Sequence, residues 1–560
     1  MPTGYRATGY RHMAAAGHAL AARAADQVLE AGGNAVDAGV AGGLVLGVVQ
    51  SDYVNFAGVA PIMIRQPDGT AYTIDGLGGW PKALDPNLFM REYGGKIPRG
   101  LLRTVVPAAP SAWIAALTRF GTMSFADVAT PAITLAREGF AMHWLMRSII
   151  SQHADEYAEW SSNAAIYLPG GRVPEIGERF VQSDLAGTIQ HMADCERAAG
   201  GDRLAGLNAA RAAFYEGDIA RQIVRYHEAE GGLLSAADLS GYRSEIGAPV
   251  RASFADGTLL CSGAYCQGPF LGVVMQFLDQ LDWSGVAQGS SAYYHRLIEC
   301  VKLAFADREA VLGDPNFVDV PLERLLSASY AAERIAAFDP ARAAPGMPEP
   351  GLGRVTGLAP TAEEPAPGDT SYVCVVDADG LAFSATPSDV SYSSPIIPGT
   401  GICPSSRGSA SWGDPAHPSG VAPGKRPRLT PNPAIYVDRD GFPMPFGTPG
   451  GDVQIQAMAH VLLNRFVYGM ELQAAVEAPR LASYSFPSSF EPHEMHPGLV
   501  RAETRIDDTV VDELAGLGHR VEPWGEWSHL AGAVCAVQAR PDGALEGAAD
   551  PRRTSGTAGR

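Results

Sequence analysis

Thr370 follows the Pro/Gly/Glu-rich stretch Pro360 to Asp369 and opens an alternating apolar run, Thr370-Ser371-Tyr372-Val373-Cys374-Val375-Val376. A hydroxyl residue where a loop hands over to a strand is what a self-cleaving N-terminal nucleophile requires. Breakage of the bond between Asp369 and Thr370 frees an α-amine, of pKa about 8, beside the residue's own hydroxyl. One residue then supplies both nucleophile and general base. Threonine also favours strands for steric reasons, so the junction needs support from other residues. The turn Pro449-Gly450-Gly451 offers some. Consecutive backbone N–H groups without side chains, at the start of a helix, suit a developing oxyanion. The plainer alternative is a tight strand-to-helix turn that needs glycine's φ freedom.

Other chemistries lack their residues. There is no GxSxG elbow and no GK[ST] phosphate loop, and Gly76, Gly78 and Gly79 are followed by Trp80 and Pro81 where a dinucleotide-binding helix should run. His493, Glu494 and His496 lie between Pro492 and Pro497, so the i,i+4 helical geometry of a zinc protease is missing and a surface loop is expected there. No metal and no cofactor are expected. The seven cysteines, at 195, 261, 266, 300, 374, 403 and 535, form no CxxC pair and read as reduced thiols, with Cys374 buried in its strand.

The elements that must position these residues are legible from periodicity. Apolar spacing from His18 to Ala31, stopped by Gly32-Gly33, predicts one helix, and a second follows from Ala35 to about Val49. Ala60 to Ile74, with Pro67-Asp68-Gly69 at its turn, predicts a hairpin. Pro107 to about Leu303 is mostly helical in pattern, and Tyr330 to Asp369 has the composition of a surface excursion. After Thr370, the turn Asp377-Ala378-Asp379-Gly380 joins Thr370 to Val376 with Leu381 to Thr386 as a hairpin. Ala434 to Val437 and Phe442 to Phe446 form another, and an amphipathic helix runs from Val453 to about Met470. Hairpins and helices in both halves predict stacked antiparallel sheets covered by helices.

Composition narrows the class further. Hydrophobic content of 46%, charged content of 18%, 64 Gly and 42 Pro describe a loop-rich globular protein of 560 residues with a substantial core. A net charge of -19 disfavours nucleic acid and anionic membrane as partners, since both need a basic surface. Met1 to Leu20 carries no apolar run like a signal peptide's core and no eighteen apolar residues run uninterrupted, so a cytoplasmic protein is expected.

Five segments, taken together, resemble the γ-glutamyltranspeptidase (γ-glutamyltransferase, glutathione hydrolase) family and occur in its order. They are Glu30-Ala31-Gly32-Gly33-Asn34-Ala35-Val36-Asp37-Ala38, Gly368-Asp369-Thr370, Pro398-Gly399-Thr400-Gly401-Ile402, Gly447-Thr448-Pro449-Gly450-Gly451 and Ala549-Asp550-Pro551-Arg552-Arg553. The resemblance implies an α+β fold, a four-layer αββα sandwich of the N-terminal-nucleophile hydrolase type. It also implies an inactive zymogen that cleaves autocatalytically between Asp369 and Thr370. Residues 1–369, ending in a flexible segment 340–369, would form the large subunit, and 370–560 the small one, both parts of one composite domain. The two chains would stay associated, with room for a homodimer of the processed pair. By the same resemblance Thr370 is the nucleophile, Gly450 and Gly451 form the oxyanion hole, and Ser388 takes the place of a second hydroxyl near the nucleophile, where a turn serine after Pro387 is the alternative.

The mismatches are equally informative. The family's arginine clamp for the γ-glutamyl α-carboxylate falls on Asp85, its acidic partner for the α-amine near Ser409 and Ala410, its paired serines on Leu429 and Thr430, and its asparagine beside the hairpin on Val390. Each lost partner of a buried charge costs roughly 2 to 5 kcal/mol. Arg407, whose guanidinium could grip a carboxylate with two prongs, is the candidate replacement anchor, with Thr430 a second substrate-binding candidate. The stretch Trp412 to Lys425 is shorter than the lid-bearing loop of many such enzymes, which suggests an open pocket. The expectation is an amidohydrolase or acyltransferase acting on a small amide through an acyl-enzyme at Thr370. A true γ-glutamyltransferase of glutathione metabolism is the rival, and a catalytically silent binding or structural relative the alternative of another class.

Overall fold

The computed structural model describes residues 5–355 and 370–560, so Asp369 lies outside the described residues. Two seven-stranded sheets stack face to face. The first runs, in spatial order, Arg6–Gly9, Leu545–Ala548, Cys535–Ala539, Pro443–Gly447, Ala434–Val437, Gly257–Cys261 and Val250–Phe254. The second runs Gly556–Gly559, Met13–Ala16, Val373–Val376, Ala382–Ala385, Ile62–Arg65, Ala71–Ile74 and Ile246–Gly247. Neighbours pair antiparallel throughout. Both sheets draw strands from before residue 355 and after residue 370.

Helices close both outer faces, which makes four layers, αββα. On the second sheet lie α1 (Ala19–Glu30) and α2 (Ala35–Val49). On the first lie α3 (Gly268–Asp279), α4 (Ser291–Val311) and α5 (Val453–Leu462). The strand Val373–Val376 (β1) shows why alternation matters: Val373 and Val375 join the core beneath α2, whereas Tyr372, Cys374 and Val376 join the core between the sheets. Cys374 is thus a buried packing residue, as expected.

The Gly32-to-Ala38 segment has a structural explanation. Asn34 caps α2 by accepting from the N–H of Val36 and Asp37, and Asp37 answers by accepting from the N–H of Asn34. The N–H of Ala35 reaches Asp377 at the turn after β1 (2.9 Å), which docks α2 onto the hairpin β1 with β2 (Ala382–Ala385). All fifteen residues of α2 are buried, and a Cβ at Gly39 would meet Phe383 of β2 at 2.1 Å. A larger residue there would push the helix off the hairpin that carries Thr370.

Three expectations need correction. The Pro107-to-Leu303 segment is helical but also contributes the hairpin Val250–Phe254 with Gly257–Cys261 to the edge of a sheet. The excursion expected from Tyr330 begins instead as a helix, Ala328–Ile335, that buries Tyr330 against Asp307 (hydroxyl to carboxylate 2.8 Å). The helix expected to reach about Met470 is α-helical only to Leu462, and Leu463–Val467 widens into a π-turn before Gly469 at φ 64° ends it.

Candidate active site

The ladder of β1 and β2 pairs Val373 with Ala385, and the same register carried outward sets Thr370 opposite Ser388. The N–H of Ser371 still donates to Pro387 O (3.0 Å), so pairing continues past the strand ends. Ser388 is locked from its other side by two backbone hydrogen bonds with Val59 (3.0 and 3.1 Å). The hydroxyls of Thr370 and Ser388 consequently meet at 2.8 Å, both buried.

Behind Ser388 stands Arg407, whose Nη2 donates to the Ser388 hydroxyl and whose Nε lies 4.0 Å from Asp389 Oδ1. Its guanidinium also covers the ring of Phe490, 5.3 Å away. A guanidinium cannot accept a hydrogen bond, so Ser388 Oγ is the acceptor from Arg407 and its own proton is available to Thr370 Oγ1. Asp389 accepts from the hydroxyls of Ser405 (2.6 Å) and Ser406 (2.7 Å). Arg407, Asp389, Ser406 and Phe490 wall a cavity of about 320 Å³ lined also by Arg103, Val390, Ser409 and Glu491.

The glycine turn lies between the strand Pro443–Gly447 (β3) and α5. Gly450 and Gly451 have φ of 126° and 57°, which glycine takes without strain. Their carbonyls accept from Val453 N (2.9 Å) and Gln454 N (3.2 Å), while among the described residues neither of their own N–H groups meets a backbone acceptor. The turn is braced from below: Gln267 Nε2 donates to Gly451 O (3.2 Å) and Thr430 O (3.1 Å), and Arg308 Nη1 holds Gln267 Oε1 at 3.0 Å. Arg308 is buried and pairs with Asp452 and Glu309. Burial would raise the Glu309 carboxyl, but Arg428 and Arg308 override it and hold it at about 2.

Sequence reasoning missed two groups at this centre. Gln454 Nε2 faces Thr370 Oγ1 at 3.5 Å, and Arg553 Nη1 donates to Thr370 O at 3.2 Å. Arg553 belongs to the Ala549-to-Arg553 segment, which gave a signal without a role; Gln454 gave none beyond its place in the first turn of a helix.

The mismatched positions divide. Asp85 is exposed and accepts from Arg91 (2.7 Å), so neither its charge nor its place suits a carboxylate clamp. Ala410 and Leu429 are buried and apolar. Thr430 Oγ1 is buried and has no hydrogen-bond partner among the described residues.

His493, Glu494 and His496 are not on a surface loop, contrary to expectation: all three are buried. His493 stacks on Trp412 (4.1 Å, 6°) and its ring nitrogens face Ser488 O and Ser411 O. Among the described residues two other groups bring potential metal ligands together, and in both those ligands already have protein partners. His295 Nδ1 meets His519 Nε2 at 2.9 Å, while Glu299 takes the Lys302 ammonium at 2.7 Å. His12 pairs with Asp26 (2.9 Å), and Glu30 with Arg560 (3.0 Å). No helix among the described residues is long and apolar enough to cross a membrane.

The model of the γ-glutamyltranspeptidase family matches residues 21–560. The chain belongs to that family. Family membership makes it an enzyme of amide-bond hydrolysis or acyl transfer, with the N-terminal-nucleophile αββα fold. It is 32% identical to the glutathione hydrolase-like YwrD proenzyme of Bacillus subtilis (strain 168), with 97% of each chain covered. It is likewise 32% identical to the acylase ACY 1 proenzyme of Pseudomonas sp. (strain V22), covering 97% of this chain and 92% of the relative. The solved structure of LmbA2991HD superposes with a TM-score of 0.94 at 34% identity, each chain covered completely.

Proposed function

We propose that this family member is a self-cleaving N-terminal-threonine amidohydrolase. Thr370 Oγ1 attacks Asp369's carbonyl in the precursor and a small amide in the mature enzyme, and the N–H groups of Gly450 and Gly451 receive the oxyanion. The observation that carries the reading is the chain of contacts from Arg407 to Ser388 to Thr370, set near a glycine turn whose N–H groups meet no backbone acceptor among the described residues. After cleavage the Thr370 α-amine takes the hydroxyl proton during attack and delivers it to the leaving amine. Water, or an amine in transfer, then releases the acyl group.

Relatives named as proenzymes, one of them an acylase, support the precursor and the amide chemistry. The name of the first, glutathione hydrolase-like, favours a second reading in which γ-glutamyl amides are the substrates. Mass spectrometry of purified protein tests the common part: chains of 369 and 191 residues (560 − 369) are expected, and Thr370→Ala should stay at full length. A wild-type chain that stays intact yet hydrolyses amides would refute the mechanism.

A further inference from the structure

Gln454 stands in the first turn of α5, fully buried, directly after the glycine turn. Its carboxamide cannot swing freely, because Oε1 accepts from the N–H of Asn432 (3.2 Å). That bond fixes which end is oxygen and leaves the NH₂ end turned to Thr370 Oγ1 at 3.5 Å. A buried carboxamide has no need of a nucleophile as neighbour; an apolar side chain of similar volume would fill the same space without having to be satisfied. The contact is long for a hydrogen bond, as such contacts often are before a substrate or a developing charge draws them in.

We propose that Gln454 is a catalytic residue that donates to Thr370 Oγ1 and stabilises the negative charge this oxygen acquires when it departs. The inference rests on the reading of Thr370 as the nucleophile. In self-cleavage, Oγ1 bonds to the Asp369 carbonyl carbon, the C–N bond breaks and the nitrogen takes a proton, leaving an ester on Thr370. Water then adds to the same carbon, and the C–Oγ1 bond breaks with its electron pair passing to Oγ1, which is reprotonated as the carboxylic acid leaves. The same oxygen leaves during deacylation of the mature enzyme. The Ser388 hydroxyl (2.8 Å) and the Gln454 amide (3.5 Å) both reach Oγ1, so two donors can serve it when its charge develops. Donation to Oγ1 helps most when it is the leaving atom, since that is when its charge is greatest.

Self-cleavage provides a test that needs no knowledge of the substrate. Full-length precursor of the wild type, Gln454→Met and Gln454→Glu is followed by denaturing gel from pH 5 to 8, with hydroxylamine added to parallel samples to trap ester. Gln454→Met removes the donor at similar volume and should cleave about 10-fold more slowly or worse, with hydroxylamine-sensitive ester accumulating. Gln454→Glu keeps an acceptor for Asn432 N–H but turns the other end into an acceptor. Its rate relative to wild type should be lowest at pH 8 and recover as acid protonates the introduced carboxylate and restores a donor. Circular dichroism of Gln454→Glu across the same pH range separates recovery of the donor from recovery of the fold. Wild-type rates in Gln454→Met, or a Gln454→Glu ratio that is flat with pH, overturn the proposal. A wild type that never cleaves sinks the self-cleavage reading itself, and the proposal with it.

Discussion

The Arg407 guanidinium donates to the Ser388 hydroxyl, 19 residues earlier in the chain, and so stands one hydroxyl removed from Thr370 Oγ1. A cation placed there favours negative charge on the nucleophile whatever the substrate. Arg407→Lys keeps the charge but not the planar fork, and should lower kcat for every amide tested by about 10-fold. A loss confined to KM for acidic substrates would instead mark Arg407 as an anchor for the acyl group.

Gly451 lies at φ 57°, a region an alanine enters at a cost of about 1–2 kcal/mol. Gly451→Ala should therefore fold, with a modestly lower melting temperature, yet lose turnover by roughly 10²-fold if the added Cβ moves an oxyanion donor. Wild-type turnover in a folded, self-cleaved Gly451→Ala protein would remove the turn from the catalytic account.

The hairpin was legible because two local signals agreed. Alternation assigned the faces, and the Asp-Gly turn fixed the register that sets Ser388 opposite Thr370. The α2 segment was legible as a helix, but its purpose, a capping box docked on Asp377, joins residues 342 positions apart and has no local trace. His493 misled for the same reason: flanking prolines suggest a surface loop, while its burial against Trp412 depends on a segment 81 residues earlier. Gln454 meets Thr370 only once the two sheets are stacked, because its helix follows a strand of one sheet and Thr370 leads into a strand of the other. Periodicity finds elements, whereas side-chain polarity across layers is a tertiary property.

Asp52 gives a pH dependence of known sign. Its carboxylate is buried and, among the described residues, neither oxygen has a hydrogen bond of ordinary geometry; burial pushes it up to about 7, offset only in part by nearby backbone N–H groups and Arg553. The folded state therefore holds a proton that the unfolded chain releases near pH 4. Stability should fall as pH rises from about 4 through 7, by roughly 2–4 kcal/mol from this group. Asp52→Asn should flatten that slope and unfold at higher denaturant than wild type at pH 8. Parallel pH profiles for the two proteins would show that Asp52 does not carry the proton.

Specificity is the sharpest prediction, because the cavity lined by Arg407, one hydroxyl removed from Thr370, offers a poor grip for a γ-glutamyl group. The registered clamp position, Asp85, is on the surface with Arg91, and Ala410 and Leu429 are apolar. Asp389, on the cavity wall, already accepts from Ser405 and Ser406 and has Arg407 Nε 4.0 Å away. An α-ammonium entering beside Arg103 and Arg407 would meet like charge on the same wall. Cationic Arg103 and Arg407 on the same wall favour acyl groups that carry a carboxylate and no α-amine. Glutathione and glutaryl p-nitroanilide, assayed side by side on fully processed enzyme, decide the matter. The glutaryl amide should be preferred at least about 10-fold in kcat/KM, the equivalent of about 1.4 kcal/mol. A value for glutathione of about 10⁴ M⁻¹s⁻¹ or above, in the ordinary enzymatic range, would show that a γ-glutamyl grip has been rebuilt from other residues.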